Sequence, residues 1–206
     1  MKPLVTLIGA MMIASASIAS AAEPAEVTPD GLHRVDSSVL KLAWKKPGVD
    51  FKRYKKIMLV ADGITFKPVT HRSDSGYPIS DEQKEKLSKM MLDVFTKELG
   101  KLRNYTLVDK PGSDVLVVRG AMLDVVSRIP PERVGRSATF LRDIGEATLV
   151  VELQDSMTGE FLARGADRRA AASAFPRKSS SVSNTADLQQ VAQQWASELR
   201  RRLDEL

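Results

Sequence analysis

Cysteine is absent from all 206 residues. Disulfides, thiol nucleophiles and thiolate zinc sites are therefore excluded, although an exported chain would be free to form disulfides. The same absence removes the residue through which bacterial lipoproteins are acylated, so the expectation is a protein that is not a lipoprotein. Histidine is nearly as scarce: His33 and His71 are the only two, and neither belongs to a His-Glu-x-x-His pair. No Gly-x-Ser-x-Gly elbow and no phosphate-cradling glycine loop occurs. No cofactor or metal is expected. Apolar runs are short throughout, and none approaches the roughly 20 residues that a spanning helix needs.

What is present at the start has a recognisable grammar. Met1-Lys2-Pro3 is followed by an apolar stretch from Leu4 to Ile13 and a small-residue tract ending at Ala22. A positive start, an apolar core and small residues at the −3 and −1 positions describe a secretory signal peptide. Ala19 with Ala21, or Ser20 with Ala22, fills those two positions, so cleavage is expected near Ala21 or Ala22 and the destination is the periplasm. The expected organisation is a signal peptide over 1–22, a flexible lead-in over 23–38 rich in Pro, Ala, Glu, Thr, Asp and Ser, and one α/β domain over 39–206. The formal charge of +5 is mildly basic and favours anionic neighbours without identifying one.

Within the domain, periodicity suggests the elements. Ile57 to Ala61 is short, branched and apolar on both faces, which suits a buried central strand. Ser80 with Gln83 has capping-box spacing, and Leu87, Met90, Met91, Val94, Phe95, Leu99 and Leu102 follow at intervals of three and four. Tyr105–Val108 reads as a short strand and Asp114–Val126 as a longer one. In the latter, Val115, Val117, Ala121, Leu123 and Val125 share one face, with Leu116, Val118, Met122 and Val126 on the other. Arg128–Asp143 reads as an irregular connection. Alternation from Ala147 to Leu153, a turn over 155–160 and a return over 161–167 make a hairpin. Arg168–Thr185 is polar and Ser-rich. A final helix, capped by Asn184 or Thr185, carries Leu188, Val191, Ala192, Trp195, Leu199, Leu203 and Leu206 on one stripe, where Trp195 is expected to serve core packing. This order predicts a two-layer α/β sandwich, a mainly antiparallel sheet of about five strands with both helices on one face.

Three stretches carry a family likeness. They are Pro47-Gly48-Val49-Asp50-Phe51-Lys52-Arg53-Tyr54-Lys55-Lys56, then Glu152-Leu153-Gln154-Asp155-Ser156-Met157-Thr158-Gly159-Glu160-Phe161-Leu162, then Trp195-Ala196-Ser197-Glu198-Leu199-Arg200-Arg201-Arg202-Leu203. The chain thereby resembles the domain-of-unknown-function family 3313 (DUF3313) from roughly Gly31 to the end. That resemblance implies an exported envelope protein, often a lipoprotein, with no established activity, catalytic residue or cofactor. The missing cysteine departs from the lipoprotein members.

Binding residues are sought among the cations. Lys45, Lys46, Lys52 and Arg53 lie between Trp44, Phe51 and Tyr54, a combination suited to a phosphate-bearing polymer or an anionic membrane surface. The alternative is that the aromatics pack on the sheet while the lysines stay in water. A second cluster joins Arg164, Arg168, Arg169, Arg177 and Lys178. Asp50, Asp62, Asp124, Asp155 and Asp167 stand at strand ends or turns, where a carboxylate serves structure; Asp155 is placed to close an Asx turn with Gly159 at positive φ. The expected function is a non-enzymatic accessory or interaction module of the envelope, whose partner is an envelope protein or anionic component reached through a sheet edge or a basic face. Nucleic acid is excluded by export, and no transmembrane anchor remains after cleavage. The alternatives are a small hydrolase assembled around His71 with Asp74 and a serine, and a structural domain binding anionic polymer or lipid.

Overall fold

The computed structural model describes residues 24–36, 40–69, 76–130, 140–178 and 181–206. The chain forms β1 (His33–Arg34), β2 (Leu42–Lys45), a 3-10 turn (Phe51–Arg53), β3 (Lys56–Phe66), α1 (Asp81–Leu99), β4 (Thr106–Val108), β5 (Val115–Ser127), β6 (Phe140–Asp155), β7 (Phe161–Lys178) and α2 (Ser181–Asp204). One open sheet runs in the order β1-β2-β7-β6-β5-β3-β4. Strand β3 is parallel to both β4 and β5, and the other pairings are antiparallel. This is the expected layered α/β architecture, with seven strands where about five were expected.

The additional strands come from the N-terminal side. Segment 24–36, read as lead-in, contributes β1, and Leu32 beside it is fully buried. Strand β2 joins the edge of β7 with Trp44 opposite Arg164.

The expected polar connection from Arg168 is instead strand as far as Lys178, and α2 already begins at Ser181. The physical reason is the solvent-facing side of the sheet. Arg168 there donates to Glu146 at 2.6 Å, and in an antiparallel sheet with one wet face, polar residues belong to the ladder as much as apolar ones do. Likewise β6 reaches back to Phe140, inside the stretch read as irregular.

Helix α1 starts at the expected box: Ser80 Oγ accepts from the Gln83 N–H at 3.3 Å, and Gln83 Oε1 accepts from the Ser80 N–H at 2.9 Å. The two helices cover the sheet face formed by Ile57, Leu116, Val118, Met122, Ala147, Leu149, Val151 and Leu153, with Met91, Val94, Leu99, Ala192, Trp195 and Leu203 on top. In β5 the face assignment changes near its end. Asp124 adopts φ 53, the register with β6 shifts between Leu123 and Val126, and Val125 turns into the helix-side core. A bulge inserts one residue and so reverses which side chains face inward.

Candidate functional site

The hairpin that links β6 to β7 is built around one carboxylate. Asp155, 4% exposed, accepts from the backbone N–H groups of Met157 at 2.9 Å and Thr158 at 3.0 Å. That is the expected Asx turn, completed by Gly159 at φ 71. Its other oxygen accepts from the Tyr54 hydroxyl at 2.8 Å and from Arg53. Burial alone would raise this carboxyl, but the Thr158 N–H, the Tyr54 hydroxyl, the Met157 N–H and the Arg53 charge together hold it down at about 2. Tyr54 moves the opposite way, pushed up to about 12 by burial and by the Asp155 carboxylate. Two of the three family-like stretches thus meet in one knot: Arg53 and Tyr54 from the first, Asp155 to Thr158 from the second.

The structure places the sequence-selected cations individually, most of them beside carboxylates. Lys46 pairs with Glu160 and Arg53 with Asp155. Arg168 pairs with Glu146, and Arg169 with Asp167 and Glu198. Lys45 lies 5.1 Å from the centre of the Phe51 ring, and Lys52 is exposed on the adjacent 3-10 turn, where its backbone N–H donates to the Asp50 carboxylate at 3.0 Å. Arg164, on β7 beside the predicted loop, joins Glu152 at 2.7 Å and Asp30 at 3.2 Å. It extends a row of alternating charge across the wet face, Asp62 to Arg119 to Glu152 to Arg164; the last three stand in register over β5, β6 and β7, and Asp62 reaches Arg119 from the irregularity of β3 between Ala61 and Gly63. Asp167 accepts from the Trp195 indole N–H at 3.0 Å, which adds an anchoring bond to the core role expected of that tryptophan. His71 and Asp74 lie outside the described residues, as does the signal-like segment. Among the described residues, no group of three His, Asp or Glu side chains is arranged to hold a metal ion.

A large concavity lies on the helix side of the sheet. A cleft of about 420 Å³ opens between α1 and strands β3 and β5, within the roughly 300–1,000 Å³ range of small-molecule sites. Its walls are Leu59 and Ile64 of β3, Val118 and Met122 of β5, Leu149 and Val151 of β6, and Met91, Leu92, Phe95 and Leu99 of α1. Glu85, Ser88, Lys89 and Thr96 of α1 supply the polar side chains along its exposed margin.

The cleft exists because side chains are missing from its floor. Ala61 of β3 stands opposite Gly120 of β5, and Gly120 opposite Val151 of β6. A Cβ built at Gly120 would meet nothing within 4 Å. Rows of larger residues flank this small one: Leu59, Val118 and Leu153 on one side, Ile64, Met122 and Leu149 on the other. Leu92 projects at the rim and is 55% exposed.

Sequence reasoning missed this cleft, although a signal was available. A glycine in the interior of a strand marks a place where another group approaches closely. Gly120 sits in the middle of the run read as the long strand, between Val118 and Met122. The outward turn of Leu92, beside the expected helix stripe, was the second sign.

Comparison with known proteins places these features in context. The family model described as "Protein of unknown function (DUF3313)" matches residues 28–199. No curated protein matches. Among solved structures, the chain is similar to the PelC dodecamer from Paraburkholderia phytofirmans at 12% identity, covering 77% of this chain and 94% of that one, with a TM-score of 0.37. It is similar to a putative neuraminyllactose-binding hemagglutinin homolog from Helicobacter pylori at 10% identity, with coverage of 75% and 90% and a TM-score of 0.41. It is also similar to the rare lipoprotein B from Shewanella oneidensis at 14% identity, with coverage of 72% and 90% and a TM-score of 0.26.

Proposed function

The chain belongs to the DUF3313 family, whose function is unknown, and from that premise we propose that it is a non-catalytic binding module of the bacterial envelope that receives an apolar group in the cleft between α1 and β3. The cleft is the observation that carries this reading. A packed interior normally leaves few voids larger than a water molecule, whereas here about 420 Å³ stays open beside an exposed Leu92. The signal-like start of the sequence supports export, and among the described residues no helix is long and apolar enough to cross a membrane.

The test is a photo-crosslinking amino acid placed in living cells at Leu92, on the cleft rim, and separately at Leu123, on the opposite face of the sheet. Adducts confined to the Leu92 position are expected in the envelope fraction. Equal labelling at both positions, or none at Leu92, refutes the cleft as the binding surface.

A second surface rests on Lys45 and Lys52, which are exposed and lie without a carboxylate partner among the described residues. We propose that they add weak contact with an anionic envelope component. Lys45→Glu with Lys52→Glu should reduce retention on anionic vesicles at low salt, and unchanged retention would remove this contribution.

A further inference from the structure

Resting on that reading and naming its ligand, we infer that the cleft takes one long hydrocarbon chain, the acyl chain of a single-chain amphiphile, with its polar end at the margin formed by Glu85, Ser88 and Lys89. Three observations separate this occupant from a peptide.

The first is the chemistry of the walls. Leu59, Ile64, Val118, Met122, Leu92 and Phe95 offer no hydrogen-bonding side chain to an incoming amide, and a buried peptide group without a partner is strongly disfavoured. A hydrocarbon asks for no partner.

The second is the strand beside the cleft. Beyond Met58, β3 has no neighbour on its β4 side among the described residues, because β4 pairs only with Lys56, Ile57 and Met58. This free edge could in principle satisfy an added strand. Its register is broken between Ala61 and Gly63 and again between Ile64 and Phe66, so a regular ladder cannot run along the part that borders the cleft. An extended peptide would be left with unmatched amides there.

The third is size. One turn of an α-helix with its side chains, about 10 Å wide and 5.4 Å high, already takes roughly 400 Å³, so the cleft would hold a single turn and no more. A methylene needs about the space of a water molecule in the liquid, roughly 30 Å³. On that scale the cleft accommodates on the order of fourteen carbons, the length of a common acyl chain. The gap left by Ala61 and Gly120, bounded at one end by Val151, provides the trough along which such a chain would lie.

The test is fluorescence titration of the purified full chain with cis-parinaric acid, followed by competition with saturated fatty acids of ten to fourteen carbons. Saturable binding is expected, with competition weakening up to about fourfold for each methylene removed. Gly120→Phe fills the trough from its floor. Its backbone lies outside the left-handed region and a Cβ there meets nothing within 4 Å, so this variant should lose at least about tenfold in affinity while keeping or raising its melting temperature. Should Gly120→Phe fail to fold, Leu92→Glu serves instead, since that side chain is 55% exposed; the same direction of loss is expected. Leu123→Gln on the opposite face should bind as the parent does.

Myristate and myristoyl lysophosphatidylcholine form the two arms that separate a free fatty acid from a membrane-derived lysolipid, and the stronger competitor names the source. Absence of parinarate binding, absence of chain-length dependence, or equal binding by the Gly120 and Leu92 variants overturns the inference. If crosslinks at Leu92 persist while parinarate binding is absent, the hydrocarbon ligand is refuted and the binding-module reading survives; if both are lost, both fall.

Discussion

Replacing Asp155 by Asn isolates the charge that holds the β6–β7 turn to the Arg53–Tyr54 segment. The amide keeps an oxygen for the Met157 and Thr158 N–H groups, and it removes the negative charge that faces Arg53 and Tyr54. Because the carboxyl sits at about 2 when folded, against 3.8 as its ordinary value, each unit of difference corresponds to about 1.4 kcal/mol. Its contribution to stability is then about 2 kcal/mol. The folded value is depressed, so this stability is fully present above the unfolded value and is lost as pH falls from about 5 toward 2. By linkage, roughly half is gone at pH 3.

Urea unfolding followed by the fluorescence of Trp44 and Trp195 at pH 7 and pH 3 reads the effect directly. Asp155→Asn should cost about 2 kcal/mol at pH 7 and about 1 kcal/mol at pH 3. An equal cost at both pH values would refute the reasoning, because it would mean that the turn depends on the shape of the side chain and not on its charge.

Glu98, buried between the helices, accepts from Lys101, Gln193 and Arg200 and is held down to about 2 by the Lys101 hydrogen bond first, against burial, with help from Arg200 and Gln193. Glu98→Gln should therefore destabilise by about 3 kcal/mol at neutral pH and by clearly less near pH 3, measured by the same unfolding curves. Ser80→Ala removes the cap of α1 and should cost about 1 kcal/mol, read as a lowered urea midpoint with an unchanged slope. By contrast, Glu152→Gln breaks the charge row on the wet face and should cost less than about 1 kcal/mol, with the difference shrinking as salt is added. A large, salt-insensitive loss there would show that the row is a structural network.

The capping box at Ser80 and Gln83, the Asx turn at Asp155 and the stripe around Trp195 are local devices, and local chemistry determined them. The parallel pairing of β3 with β4 and β5 was not readable, since it depends on where the chain returns after α1. The true lengths of β6 and β7 were hidden by Arg168 and its neighbours, whose polarity resembles a loop when the partner Glu146 is not in view.

The basic residues illustrate the same limit. Lys46, Arg53, Arg168 and Arg169 look like a cationic surface in sequence, and their carboxylate partners are brought to them by strand pairing and helix packing. The cleft was the least legible feature, because it is defined by what Gly120 and Ala61 do not fill.

The two terminal strands of the sheet, β1 with two residues and β4 with three, bear on how copies of this chain behave in a crowded compartment. Strand β4 itself presents little main chain for a neighbour to continue, and the margin of β3 beyond Met58, which has no strand beside it among the described residues, is kinked at Gly63. Edge-on stacking is therefore discouraged at the β4 border, whereas on the other side β2 covers β7 only over Ala163–Ala166 and β7 runs on to Lys178, so a neighbouring copy would find its longest continuation of the backbone there.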